Sequence, residues 1–293
     1  MSESAPDVSF NIAQARRMPS GWPNKLKNFI EKILRRVRVA MKDVYARIFW
    51  WREIKYHTPG GFQLYLDLRK AVDRVFFVRG YEKSNLEHFS RVIKAGMVVF
   101  DVGANIGIYT LTASRLLGPR GRVHAFEPAK WAFRQLERNV GLNSCSNVVL
   151  NSIGLSDVSG TVTFNICEDD AYNSLAAQPM MPVLKSEKIT VSTIDDYVQR
   201  NGLLGVHVIK IDAEGADYLI LKGARNTLER FSPILFFEYN RFVKGLSFSL
   251  ADLEDYLATM DYELYFVAGE KLTSFSRETS DAIEIVALKE TSL

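Results

Sequence analysis

Asp101, Gly103, Asn105 and Gly107 occupy alternate positions in VVFDVGANIGIYT (98–110), where a run of β-formers gives way to a turn. Such a turn, at the carboxyl end of a parallel strand, presents backbone N–H groups and a helix N-terminus to a ligand. Gly103 permits the sharp bend, and Gly107 lets the following helix pack close to the strand. The middle position selects the ligand. A dinucleotide turn has glycine there so that a pyrophosphate can press on the backbone; Asn105 puts an amide in its way. Asparagine tolerates a left-handed backbone, so the turn itself survives. A cofactor without phosphates fits better. S-adenosyl-L-methionine has none, and its ammonium and sulfonium groups favour a nearby carboxylate such as Asp101.

Phe126-Glu127-Pro128 follows about 20 residues later, the distance at which a carboxylate grips both hydroxyls of a ribose. Ser152 and Gly154, beyond the third strand, can frame an adenine. The acceptor chemistry falls to Lys210, Asp212 and Glu214 in IKIDAEG, which share one face if the chain stays extended. Glu238 ends the next strand. An alcohol is a weak acid, so a carboxylate here must act late as a general base, or with help from a metal. Asp212, Glu238 and Asn240 can supply the oxygen ligands a divalent cation prefers, a secondary option. Without a function, Lys210 and Glu214 would form an internal salt bridge and Glu238 a helix cap.

These residues need a sheet to hold them. VVFD, RVHAFE, NVVLN, HVIKID and PILFFE read as strands separated by helical patterns, the signature of a parallel sheet covered by helices. FQLYLDL, RVFFV and TVTFNI also read as strands, and Ser84 to Glu87 as a capping box. ITVSTIDDYV reads as a strand and a helix capped at Ser192. A helix near 250–260 precedes two strand-like runs, ELYFV and AIEIVAL. The polar stretch 168–188 is the candidate acceptor lid.

Residues 24–53 carry a helical apolar stripe. Residues 1–52 hold eleven Lys and Arg against four Asp and Glu, a balance of +7, whereas the whole chain is +3. The remainder is therefore −4, which argues against nucleic-acid binding by the main body. The arm is expected either to pack on a neighbour, including a second subunit, or to lie on an anionic membrane surface. Two cysteines, no signal-like segment and no apolar run long enough for a span lead to the expectation of a cytoplasmic protein, peripheral to a membrane if the arm binds one.

With DVGANIGIYT, VHAFEP, NSIGLSD, TIDDY, IKIDAEGADYLILKGA and PILFFE in register, the chain resembles the FkbM family of S-adenosylmethionine-dependent methyltransferases. The resemblance covers about residues 60–240, with the basic arm outside it. His207 and Asp217 depart from the family's usual residues. The resemblance implies a Rossmann-like class I α/β fold with a seven-stranded, mostly parallel sheet and one antiparallel strand, from AIEIVAL. It places Glu82, in Gly80-Tyr81-Glu82, near the cofactor. It also implies methylation of a hydroxyl on a small-molecule or glycan acceptor. The organisation expected is a basic extension over 1–58 and a methyltransferase domain over 59–293. The rival readings are a nucleotide-dependent oxidoreductase, which Asn105 opposes, and a non-catalytic membrane adaptor, which the intact acidic set opposes.

Overall fold

The computed structural model describes residues 7–8, 24–80, 83–167, 182–239, 248–268, 271–274 and 283–289. The chain forms two compact units, dividing between Tyr81 and Glu82.

The first unit contains β1 (Asp7–Val8), α1 (Asn24–Ile48), β2 (Glu53–His57), β3 (Gln63–Asp67) and α2 (Ala71–Arg79). The sequence reading set the boundary at residue 58. The division falls later because β2 and β3 pair antiparallel across the turn that separates them. The helical pattern read to Glu53 ends at Ile48, and Glu53 opens β2. RVFFV, expected as a strand, lies in α2. A short apolar run does not distinguish the two by periodicity. Here Asp73 accepts the Asp67 N–H at 2.7 Å in the first turn, and the Gly80 N–H closes the helix on the Phe76 carbonyl. Phe76 and Phe77 are buried, both edge-on to Tyr56.

The second unit contains α3 (Lys83–Val92), β4 (Val98–Val102), α4 (Ile108–Leu117), β5 (Arg122–Phe126), α5 (Lys130–Leu142), β6 (Val148–Asn151), β7 (Gly154–Leu155), β8 (Gly160–Cys167), β9 (Val183–Ser192), α6 (Ile194–Arg200), β10 (Val208–Ile211), α7 (Asp217–Lys222), α8 (Arg225–Phe231), β11 (Ile234–Tyr239), α9 (Leu250–Ala258), β12 (Glu263–Ala268), β13 (Lys271–Ser274) and β14 (Ile283–Leu288). Its main sheet has the order β13-β12-β14-β11-β10-β4-β5-β6. Strands β4, β5, β6, β10 and β11 are mutually parallel, and β14 enters antiparallel beside β11. Seven of these strands form the mostly parallel sheet with one antiparallel strand that the resemblance implies. The eighth, β13, is an edge strand hydrogen-bonded to β12. Its sequence, KLTS, gives little periodic signal because its one apolar residue, Leu272, is exposed.

All four residues of β10 are buried, as a central strand covered on both faces requires. Phe100, Phe126, Ile209, Ile211, Leu235 and Phe237 join one core with α6, α7, α8 and α9. Strands β7, β9 and β8 form a separate small sheet. Two helix starts differ from the sequence reading. α3 begins at Lys83, which puts Ser84 inside it, and α6 is capped by Thr193, whose hydroxyl accepts the Asp196 N–H. β9 begins at Val183, so part of the polar stretch read as a lid is strand; residues 168–181 lie outside the described residues.

Candidate active site

The turn after β4 is built by close packing. Gly103 has φ +73°, and its N–H and that of Ala104 both donate to the Phe126 carbonyl at 3.0 Å. A β-carbon on Gly103 would lie 1.8 Å from the Asp212 carbonyl oxygen. The glycine is therefore dictated by the end of β10. Asn105 has φ +48°, the left-handed conformation its type tolerates. Gly107 has φ +98°, and a β-carbon there would meet Leu136 Cδ1 at 2.7 Å. Its smallness accommodates α5, rather than the strand the sequence reading invoked.

Glu127 is buried, and its two oxygens are engaged by the backbone: Oε2 accepts the Asn105 N–H at 2.9 Å and Oε1 the Ala129 N–H at 2.8 Å. The carboxylate thus holds the turn itself, while each oxygen keeps a lone pair for a further donor. Burial pushes it up to about 7, against the pull of those two N–H groups. Pro128, half-buried, sits close to Gly154. Gly154 pairs with Val191 in the small sheet, and Ser152 is exposed just before it.

Asp101 is wholly buried at the end of β4. Its Oδ2 accepts the Thr110 hydroxyl at 2.5 Å, and its Oδ1 receives no hydrogen bond, with Lys210 Nζ 3.8 Å away. Burial raises its pKa, opposed by Lys210 and Thr110. Lys210 is buried on β10, donates to Asp212 Oδ2 at 3.2 Å and lies over the Tyr109 ring. The extended chain stops at Ile211, and Glu214 sits in a turn with φ +48°. Lys210, Asp212 and Glu214 therefore do not share a strand face, because alternation ends with the strand. Lys210 forms ion pairs with Asp212 and with Asp101.

Electrostatics still bring Glu214 into the group. Burial, reinforced by Asp212, Glu238 and Asp217, pushes it up to about 9. Asp217, buried at the start of α7, accepts the Gly215 N–H on Oδ2 and has an unbonded Oδ1; burial and then Asp212 push it up to about 7. Sequence reasoning treated Asp217 only as a departure from the family. Glu82 and Asn240 lie outside the described residues. Among the described residues, no group of three or more His, Cys, Asp or Glu is disposed to hold a metal ion.

A polar chain was also missed. Tyr197 on α6 donates to Asn151 Oδ1 at 3.0 Å and meets His124 Nδ1 at 2.8 Å. Asn151 Nδ2 donates to the Ala125 carbonyl, so its oxygen is the acceptor and His124 carries the proton on Nδ1. Burial lowers His124 to about 4. The chain links the middle of β5, through α6, to the end of β6. His207 Nδ1 accepts the Val98 N–H at 3.0 Å, a structural role.

The arrangement suits a cation. Asp101, Asp212, Glu214 and Asp217 converge on one lysine beside the glycine turn, and two buried carboxylate oxygens, on Asp101 and Asp217, lack donors. A ligand ammonium supplies what they lack. The residues therefore fit S-adenosylmethionine.

Residues 101–264 match the family described as the methyltransferase FkbM domain. The chain is similar to hexuronic acid methyltransferase AglP of Haloferax volcanii, 31% identical over 140 residues, 47% of this chain and 54% of that protein. It is similar to 31-O-demethyl-FK506 methyltransferase FkbM of Streptomyces tacrolimicus, 27% identical over 198 residues, 58% of this chain and 72% of that one. Methyltransferase 1 of Beauveria bassiana is 29% identical over 143 residues, 43% of this chain and 57% of that one. The chain spans a little over half the length of AglP and of the Beauveria protein.

Proposed function

The chain belongs to the methyltransferase FkbM domain family, and on that premise we propose that its S-adenosylmethionine-dependent methyl transfer is directed to a hydroxyl oxygen of a sugar-like or other small acceptor. The observation that carries this reading is the carboxylate group around Lys210, set against the glycine turn. Two relatives, a hexuronic acid methyltransferase and a 31-O-demethyl-FK506 methyltransferase, favour oxygen as the target.

When bound, S-adenosylmethionine supplies a methyl group made electrophilic by its sulfonium. Asp101 Oδ1 and Glu127 are the groups suited to its ammonium and its ribose hydroxyls. Asp212, at the mouth of the site and paired to Lys210, takes the acceptor's hydroxyl proton late in the transfer. Glu214, pushed up by burial and then by its acidic neighbours, donates a hydrogen bond in its protonated form and orients the acceptor. Asn105, Gly107, Pro128, Ser152 and Gly154 shape the turn and its rim, and Glu238 contributes field.

The test is product chemistry. Purified protein incubated with labelled S-adenosylmethionine and a panel of hexuronic acids and polyols should yield a methyl ether, which survives mild alkali. A base-labile methyl ester, or transfer only to nitrogen, would contradict the reading.

A further inference from the structure

Helix α1 carries an apolar stripe that its own unit does not use. Ile33, Val37, Met41, Val44 and Ile48 are each between 43% and 55% exposed. At 100° per residue they fall within about 80° of the helix circumference. The far side of the same helix does the packing. Ala46 is buried there, and buried Lys42 donates to Tyr56 Oη at 2.7 Å and lies over the Phe77 ring. Trp50 and Trp51, at the end of the stripe, are also more than half exposed.

Beside the stripe, a groove of about 510 Å³ runs along the α1–α2 seam and is lined by Lys32, Arg36, Arg47 and Arg79. Among the described residues lining it, the one acidic side chain is Asp43, which is paired with Arg47 at 2.9 Å. An apolar band bordered by cations and ending in tryptophans matches the interface of a bilayer. Aliphatic groups enter the acyl boundary, cations meet anionic headgroups, and indoles sit between. A second copy of this surface would cover the stripe but bring two sets of cations together. An anionic lipid satisfies both features.

We propose that α1 docks this protein on an anionic lipid surface through the stripe from Ile33 to Ile48, with Lys32, Arg36, Arg47 and Arg79 at headgroup depth. This surface is independent of the methyl-transfer reading.

The full chain should co-sediment with phosphatidylcholine vesicles containing phosphatidylserine, bind pure phosphatidylcholine far more weakly, and lose affinity as salt rises. Val37→Glu combined with Met41→Glu should cut the partition coefficient by about tenfold or more. Arg36→Ala should cut it about fivefold, the contribution of one juxtamembrane cation. These side chains are exposed, so circular dichroism and S-adenosylhomocysteine binding should match the wild type. Failure to sediment, equal binding to neutral vesicles, or indifference to the paired glutamates would overturn the proposal. So would a wild-type dimer that the paired glutamates dissociate, without vesicle binding, which would assign the stripe to a second copy.

Discussion

A β-carbon on Gly103 would collide with the Asp212 carbonyl, and the positive φ adds backbone strain. Gly103→Ala should destabilise the protein by roughly 2–4 kcal/mol, seen in urea unfolding, and should abolish S-adenosylhomocysteine binding. Asp212→Asn leaves the backbone in place. It should spare cofactor binding and lower turnover by about 10²- to 10⁴-fold, the range for a lost general base, in a methyl-transfer assay. Glu127, Asp217 and Glu214 sit above their ordinary carboxylate values, at about 7, 7 and 9. The folded state therefore binds more protons than the unfolded chain between about 4 and 9. Stability is fully present below that window and falls as pH rises through it. Thermal unfolding of the ligand-free protein from pH 5 to 9 should show this fall, and Glu214→Gln should flatten its alkaline part. A bound cation pulls the same groups down. Affinity for S-adenosylmethionine should thus rise from pH 6 to 9 more steeply than that for S-adenosylhomocysteine, which lacks the sulfonium charge; equal slopes would contradict the acidic-cluster account.

Among the elements, α6 has a role beyond covering the sheet, because Tyr197 links His124 on β5 with Asn151 on β6. Tyr197→Phe strands a buried donor and a largely buried acceptor and should cost about 1–3 kcal/mol in chemical denaturation. No sequence pattern announces this chain; its members lie 46 and 73 residues apart. The strands that carry a local signal were legible: β4, β5, β6, β10 and β11 each carry a compact apolar run with a polar residue at or next to its end. What depends on packing was not. RVFFV became helix through Asp73 and Gly80, the role of Gly107 depended on Leu136, and Glu214 left the strand face because β10 stops at Ile211. Asn105 was legible for the opposite reason, since its left-handed backbone follows from its residue type and place in the turn.

At the scale of the whole molecule, a basic arm carrying an amphipathic helix accompanies an acidic remainder that contains the main sheet. The central claim concerns that sheet: the turn from Asp101 to Gly107 receives an adenosyl ligand that bears positive charge and no phosphate. Titration calorimetry of the full chain with S-adenosylhomocysteine and, separately, with NAD tests it most directly. The account predicts saturable one-to-one binding of S-adenosylhomocysteine, weakened by Glu127→Ala by no more than a few kcal/mol, and no heat from NAD. Saturable binding of NAD with none of S-adenosylhomocysteine would contradict it.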